Sequence, residues 1–391
     1  MKHNLLVCLM CLLLVPAFAL AQSEGGLQIF GYYQGQFDQS KVTGDPSASY
    51  NTFSLQQMNL LMAKDLTPVF NSFINLQFTS NFNSAMGWGT FNVEEAWVRY
   101  RSSDAFNIKA GLLVPTFNNL NDIKTKTPLL PYIMRPLVYE SPIASLVTAS
   151  NFIPERSFVQ IYGAVPAGSV KLDYALSLGN SDFITTLGKN GTVSGDDSST
   201  FKSIGGRIGI RTGELKLGVS GTYDRTNPGA PTSLPAFFQG ATPIYAAASL
   251  LGSVVRIRFG ADASYQVAGF SFEGEVISVS HVLTDGQKAI LQVLPLWTGG
   301  RLYDDLSKLF YYGAVSYDFS EQWYAFTTYG KIQDKFNMVF HSGMNNYGIG
   351  GGYRASNSVI IKAQYGRYKM VDLNVANFIL DRYSAAVSVF F

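Results

Sequence analysis

The sequence RYSAAVSVFF, residues 382–391, ends the chain and alternates between two kinds of side chain. Tyr383, Ala385, Val387, Val389 and Phe391 fall on one face of an extended strand, and the residues between them fall on the other. The pattern predicts a strand with an apolar face and an aromatic end. In a closed membrane barrel the last strand pairs with the first, so no strand edge is left in lipid. The alternative is an ordinary edge strand that happens to come last.

The composition of the whole chain agrees with a membrane barrel. Hydrophobic residues make up 47%, aromatic residues 14% and charged residues only 14%, whereas soluble proteins carry about 25% charged residues. Beyond the amino terminus no apolar run reaches the length of about 20 residues that a membrane-spanning helix needs. A barrel intersperses its apolar residues with lumen-facing ones, so these features together predict a transmembrane β-barrel.

The first residues predict a secretory signal peptide at 1–21, with the barrel domain at 22–391. Lys2 and His3 precede an apolar stretch, and Ala19-Leu20-Ala21 matches an A-x-A cleavage site. Both cysteines, Cys8 and Cys11, lie in this peptide, so the mature chain has no thiol for a disulfide, a metal site or catalysis. Its nearly neutral charge offers no field for binding nucleic acid.

Period-2 segments recur along the rest of the chain and predict about sixteen antiparallel strands. Short turns follow the even strands and longer loops follow most odd ones, among them 39–50 and 282–306. An even number of strands places both termini on the periplasmic side. The predicted strands are 27–37, 53–64, 72–80, 93–101, 106–114, 157–165, 169–178, 202–211, 215–224, 254–266, 270–280, 309–319, 323–331, 345–354, 359–368 and 382–391.

Four stretches resemble the phosphate-selective porin family of the O and P type, or a related outer-membrane barrel of the porin superfamily. They are AGLLVPTF at 110–117, PERSFVQIYGAVP at 154–166, VKLDYALSLGNS at 170–181 and the terminal AAVSVFF at 385–391. The terminal strand with Phe391 also resembles the signal that the barrel-assembly machinery recognises. The resemblance implies a homotrimer in the outer membrane of a Gram-negative bacterium, in contact with its lipid. It implies a water-filled channel for passive diffusion of small anionic or neutral solutes.

Residues 115–155 form the longest stretch without period-2 patterning, and they are rich in proline and apolar residues. Loops this long are uncommon unless they are functional. In porins one long loop folds into the lumen and narrows it, so we expect Lys124, Lys126, Arg135 and Glu140 to lie at a constriction. The alternative is an exposed cap over the mouth of the barrel.

Basic residues alternate with apolar ones on several predicted strands and are expected to line the pore. On the lipid face each would cost about 2–4 kcal/mol near the middle of the membrane. A ring of Arg and Lys favours anions over cations, which predicts a mild preference for anions such as phosphate. The alternative is that these residues pair with acids and brace the wall. The predicted pore-lining residues are Arg99, Arg101, Lys109, Lys171, Arg207, Arg211, Arg256 and Arg258.

Other functions have weaker support in the sequence. Ser280 and His281 are neighbours on a predicted strand and point to opposite faces, so they cannot form a nucleophile–base pair. No metal-ligand spacing is present, and no cofactor is expected. Tyr and Trp near strand ends, such as Tyr33 and Trp323, are expected in the interfacial girdles. A channel specific for sugars or dicarboxylates would need a row of aromatic side chains inside the lumen. A transporter of hydrophobic solutes would need an apolar lumen.

Overall fold

The computed structural model describes residues 26–43, 45–83, 87–121, 123–139, 152–181, 200–226, 252–293, 307–335, 343–370 and 379–391. The predicted signal peptide and Glu140 lie outside these residues. No helix in the described ranges is long and apolar enough to span a membrane.

The described residues form sixteen strands, a short 3₁₀ helix (Lys124–Leu129) and one α-helix, α1 (Asp285–Val293). The strands are β1 (Gln28–Val42), β2 (Asp45–Asp65), β3 (Phe70–Asn83), β4 (Gly87–Arg101), β5 (Asn107–Leu113), β6 (Ser157–Ala167), β7 (Val170–Asn180), β8 (Lys202–Thr212), β9 (Leu215–Thr226), β10 (Val254–Val267), β11 (Phe270–Val282), β12 (Lys308–Asp318), β13 (Trp323–Asp334), β14 (Met344–Ser356), β15 (Val359–Met370) and β16 (Ile379–Phe390).

Each strand pairs with its neighbour in sequence, and β1 pairs with β16 to close the barrel. All pairs are antiparallel, and Tyr33 lies opposite Val389 across the closing pair. The backbone of Phe391 completes this seam, because its carbonyl accepts from Gly31 N at 2.8 Å and its amide donates to Gly31 O at 3.0 Å. The predicted fold and the closing role of the last strand are confirmed.

Two predicted loops are different in the structure. The loop predicted at 39–50 is wrong, because β1 runs to Val42 and β2 starts at Asp45. Polar residues such as Ser40 continue the ladder there, since a strand needs backbone pairing and not an apolar face. The loop predicted at 282–306 contains α1, whose start carries a capping box: Gln287 N donates to Thr284 Oγ1 at 3.3 Å, and Thr284 N donates to Gln287 Oε1 at 3.0 Å.

The alternation of side chains separates the two faces of the wall. Ile208 and Phe259 are exposed on the outside, as the lipid-facing band requires. The inside is not uniformly polar, however. Inward side chains of β11 to β16 and apolar residues between β5 and β6 form one buried cluster, which includes Ile277, Phe310 and Leu137. The expectation that inward positions face water is therefore wrong for this part of the barrel.

The seam between β1 and β16 yields a prediction about Gly31. A Cβ at this position would lie 2.4 Å from the carbonyl oxygen of Asn59 and 2.8 Å from the Phe391 ring, whereas a Cβ at Gly35 would meet nothing within 4 Å. We expect Gly31→Ala to destabilise the barrel by about 1–3 kcal/mol, as overpacking does. The urea concentration at which half of the protein is unfolded would measure this change. The folded fraction would be followed by its heat-dependent mobility in gel electrophoresis. Gly35→Ala on the same strand is the control, and equal effects of the two changes would contradict the prediction.

Candidate functional site

Residues of the chain that follow β5 lie inside the barrel, and a carboxylate of β11 binds their backbone. Glu275 Oε1 accepts hydrogen bonds from the backbone amides of Asn119 at 2.9 Å and Leu120 at 2.7 Å. Its other oxygen accepts the Tyr139 hydroxyl proton at 2.6 Å. Burial, together with the nearby Glu275 carboxylate, raises the pKa of Tyr139 well above its usual value, so Tyr139 stays protonated and remains a donor. Residues 114–139, which we call the inner segment, are thus held at this wall.

A second attachment holds the inner segment to β15. Gln364 Oε1 accepts from the backbone amides of Ile133 at 2.7 Å and Met134 at 2.8 Å. Lys362 Nζ donates to the carbonyl oxygens of Pro128 at 2.8 Å and Leu130 at 2.6 Å. These wall side chains satisfy backbone groups that would otherwise need water inside the barrel. The inner segment is therefore held by inward side chains of β15 as well as of β11.

A cavity of about 550 Å³ lies between the inner segment and strands β4 to β8. We call it the basic vestibule. It is close to the short turns, because Arg101 and Lys171 lie at the ends of their strands next to those turns. Its charged lining comprises six basic residues and two acidic ones: Arg99, Arg101, Lys109, Lys171, Arg207, Arg211, Asp104 and Asp173. Six of the predicted pore-lining residues are therefore neighbours in one cavity.

The basic residues of the vestibule differ in how far they are neutralised. Arg207 is held by Asp173 at 2.8 Å and Asp262 at 2.6 Å. Arg99 donates instead to the neutral Asn71 at 2.9 Å, and the Lys109 ammonium lies 4.4 Å from the centre of the Trp97 ring. Within the ranges that the structure describes, Lys171 has no salt bridge. Arg99 and Lys171 thus have no carboxylate partner in the described part of the chain, whereas Arg207 has two.

Arg256 and Arg258 lie elsewhere, towards the long-loop end of β10. Both point into the barrel, but their exposed fractions are only 0% and 1%. Both donate to Asp224 Oδ2 at 2.7 Å. They form a buried cluster that braces β9 against β10 instead of a surface that passing ions could meet. The sequence analysis left open that inward basic residues pair with acids and brace the wall. Arg256 and Arg258 do so.

The predicted constriction residues are only partly described. Lys126 and Arg135 belong to the inner segment and are half-buried. Arg135 lines a small cavity beside Tyr132 and Met134, outside the basic vestibule. Lys124 begins the 3₁₀ helix, and its side chain, like Glu140, lies outside the described residues. The constriction role of this set therefore stays a prediction.

Glu275, Lys362 and Gln364 are functional residues that the sequence analysis did not identify. Their shared role is to bind backbone groups of the inner segment. The one signal in the sequence is an isolated polar residue on an inward face, such as Glu275 two positions before Ile277. That signal cannot specify the partner, which lies more than 130 positions away along the chain.

The fold and the attached inner segment define a transmembrane channel protein. The model of the Gram-negative porin family matches residues 8–373, and the chain belongs to this family. It is therefore an outer-membrane channel for small solutes. The resemblance to the porin superfamily is confirmed at this level, and so is the predicted location in the outer membrane.

Solved structures with the same fold are distant in sequence. OprB of Pseudomonas putida has 11% identity and a TM-score of 0.59, with 94% of each chain covered. The outer-membrane channel DcaP of Acinetobacter baumannii has 10% identity and a TM-score of 0.57, with 94% of this chain and 97% of that chain covered. Salmonella typhi OmpF, solved with daunomycin, has 10% identity and a TM-score of 0.57, with 94% of this chain and 98% of that chain covered. No curated protein matches the chain at the level of sequence.

The attachment at Glu275 yields a prediction about the inner segment. Glu275→Gln replaces one acceptor oxygen with an NH2 donor and so removes the hydrogen bond from the Tyr139 hydroxyl, and a hydrogen bond within a protein contributes about 0.5–1.5 kcal/mol. We expect the inner segment to loosen and the single-channel current to become noisier, with frequent changes of conductance level. Planar-bilayer recordings would measure this. Glu273→Gln is the matched control, because Glu273 contacts the inner segment through the Tyr132 hydroxyl at 3.2 Å and accepts no backbone amide from it. Equal noise in both variants would contradict the assigned role of Glu275.

Proposed function

We propose that the protein is a passive porin for small hydrophilic solutes with a mild preference for anions, and that it needs no cofactor and catalyses no reaction. The supporting observation is the basic vestibule, which brings six Arg and Lys side chains together with two Asp. A second cavity of about 380 Å³, lined by Leu129 to Tyr132 of the inner segment, has a balanced charged lining of Lys216, Arg354, Glu273 and Asp318. The positive bias therefore belongs to one part of the lumen.

The sign of the proposed selectivity follows from simple electrostatics. An ion that passes about 10 Å from three cations in water interacts with them by roughly 0.5 kcal/mol after screening at 0.1 M salt. An anion is stabilised by this amount and a cation is destabilised by the same amount. The two effects together correspond to about a fivefold preference for the anion. Three residues, Arg99, Lys109 and Lys171, are enough for a mild bias of this size.

The inner segment is proposed to narrow the channel. It is fixed to β11 through Glu275 and to β15 through Lys362 and Gln364, so solutes must pass beside it. Its Thr116, Asn118 and Asn119 line the basic vestibule opposite the cationic wall. In this proposal, narrowing brings solutes close to the charges, because Coulomb interactions in water fade within about 10 Å at 0.1 M salt.

The proposal also covers how the chain is processed and assembled. We propose that the mature chain starts at Gln22, that the assembly machinery recognises its Phe391 strand, and that the folded barrel forms a homotrimer. One structure of the outer-membrane protein OmpT of Vibrio cholerae is described as a trimer form; it has 9% identity and a TM-score of 0.50, and the match covers 94% of this chain and 99% of that one. A folded protein that stays monomeric in mild detergent would contradict the proposed assembly.

A substrate-specific channel for sugars or dicarboxylates is the second candidate. It is favoured by Tyr162 in the vestibule lining and by Trp97, which is stacked on Phe73 with ring centres 5.0 Å apart. Lys109 lies over both Trp97 and Tyr162, so cationic and aromatic groups are side by side. A specific site should saturate, so succinate would block the chloride current at low concentration and acetate would not. Equal, non-saturating effects of the two anions would favour the general porin.

The proposed selectivity predicts the effect of neutralising three vestibule residues. Arg99→Gln, Lys109→Gln and Lys171→Gln in one variant should lower the chloride-to-potassium permeability ratio about fivefold, because the screened interaction is removed for both ions. The reversal potential in a KCl gradient would measure the ratio.

The control variant removes the same charge from the outer wall. It carries Lys202→Gln, Lys331→Gln and Lys369→Gln, which are residues absent from the vestibule lining. Its permeability ratio should stay close to that of the unmodified protein. An unchanged ratio in the vestibule variant, or an equal fall in both, would reject the vestibule as the source of selectivity.

A further inference from the structure

The second cavity lies at the short-turn end of the barrel and has walls of two kinds. Lys216 follows the turn between β8 and β9, and Asp318 ends β12 before the next turn. Polar side chains of β9 to β12 form one wall, whereas Leu129 of the inner segment and Ile360 of β15 belong to an apolar wall. We call this space the amphipathic cavity. Among the described residues, Asn119 is the one that lines both this cavity and the basic vestibule.

Two pairs of opposite charge line the amphipathic cavity, and they differ in how close the partners are. Arg354 and Asp318 are joined by a salt bridge of 2.8 Å. Lys216 and Glu273 lie in one row of the sheet, with Ser264 between them as the register partner of both. Adjacent strands are about 4.8 Å apart, so the backbones of Lys216 and Glu273 are separated by roughly 10 Å. Within the described part of the chain these two residues form no salt bridge, so their pair is open.

The open pair combines a fixed carboxylate with a movable ammonium group. Glu273 Oε1 accepts the hydroxyl proton of Tyr132 at 3.2 Å, which holds the carboxylate beside the inner segment. A carboxylate offers about four acceptor positions, so Glu273 can still accept from a solute. Lys216 is exposed, and its long side chain can adjust to a solute. The Ser264 hydroxyl between them adds a donor and an acceptor. The gap is thus bounded by opposite charges.

The apolar wall of the cavity presents a leucine that the protein itself leaves uncovered. Leu129 is 50% exposed, although most apolar residues of the inner segment are buried. Leu130 and Ile360 continue this wall and pack on a buried aromatic cluster that includes Tyr324. Tyr324 also donates to the carbonyl oxygen of Pro131 at 2.9 Å, so the backbone next to Leu129 is held in place. Covering such a fixed apolar surface removes it from water and is favourable.

We propose that the amphipathic cavity binds a small zwitterionic solute with an apolar side chain, an amino acid of the leucine type. The solute carboxylate accepts from Lys216, its ammonium group donates to Glu273, and its side chain covers Leu129. A monocarboxylate leaves Glu273 without a counter-charge and an amine leaves Lys216 without one, so the pair favours a solute that carries both charges. The proposal rests on the channel function and not on the anion preference of the basic vestibule.

The test measures how strongly four related probes block the single-channel KCl current of the unmodified protein. L-leucine carries all the proposed features, glycine lacks the apolar side chain, 4-methylpentanoate lacks the ammonium group and 3-methylbutylamine lacks the carboxylate. We expect the block by L-leucine to saturate, with half-block at a concentration about tenfold lower than for each other probe, because each lost contact weakens binding by about that factor. Equal block by L-leucine and 4-methylpentanoate would overturn the proposal, because the cavity would then select anions alone.

Two variants separate the charged contact from the apolar one. Lys216→Gln should raise the half-block concentration about tenfold for both L-leucine and glycine, because both carry the carboxylate. Leu129→Ser should raise it about fivefold for L-leucine and leave glycine unchanged. The matched control is Lys171→Gln. Lys171 lies in the same row as Lys216, with Arg211 between them, but it lines the basic vestibule and not the amphipathic cavity. Its L-leucine block should equal that of the unmodified protein.

Three results with these variants would reject the site. If Lys216→Gln keeps the L-leucine block, the solute binds elsewhere. If Lys171→Gln weakens the block as much as Lys216→Gln, the effect is general electrostatics. If Leu129→Ser affects L-leucine and glycine equally, the apolar wall takes no part.

Failure of the channel function itself would look different. Folded protein without any KCl conductance would contradict the channel, whereas normal conductance without L-leucine block would overturn the binding site alone. In the first case the thermal unfolding midpoint in detergent still tests the cavity, because a ligand that binds the folded state raises this midpoint. A midpoint that L-leucine does not raise above its value with glycine would overturn the proposal.

Discussion

The structure depends on one constraint: in lipid, every backbone N–H and C=O of the wall must find a partner within the protein. The sixteen strands meet this requirement only because β16 returns to β1. The two hydrogen bonds between Gly31 and Phe391 complete that seam. The absence of a side chain on Gly31 lets the terminal aromatic ring lie against the backbone of β1. Closure of the wall in turn creates an enclosed lumen in which a further segment can be held.

Inside the barrel the same requirement is met by side chains. The described residues of the inner segment form no strand, so Glu275 and Gln364 accept amide protons from them and Lys362 donates to their carbonyl oxygens. Apolar residues of the inner segment pack on inward side chains of β11 to β16 and exclude solvent from that side. The charged residues of β4 to β8 are left facing the vestibule. The position of the inner segment therefore decides which inward charges a solute can meet.

The outer face of the barrel wall is also divided into an apolar zone and a charged zone. An apolar band is bordered by tyrosines, and basic residues stand beyond them near the long-loop end. Among them, Arg367 on β15 donates to Asp381 on β16 at 2.9 Å. The barrel thus carries basic residues on two separate surfaces, one inside the lumen and one on the outer wall. Each surface depends on strand register, because a shift of one residue would exchange the two faces.

The sequence by itself determined the class of fold, the number of strands, the short turns and the closing role of the last strand. It also determined which charges point inward, because the period of two assigns each residue to one face. Only the tertiary structure decided that Arg256 and Arg258 are buried against Asp224, whereas Arg99 and Lys109 line an open cavity. It also decided that β1 and β2 extend through the predicted loop. The physical reason is that alternation specifies a direction from the wall, while burial depends on contacts between residues far apart in the chain.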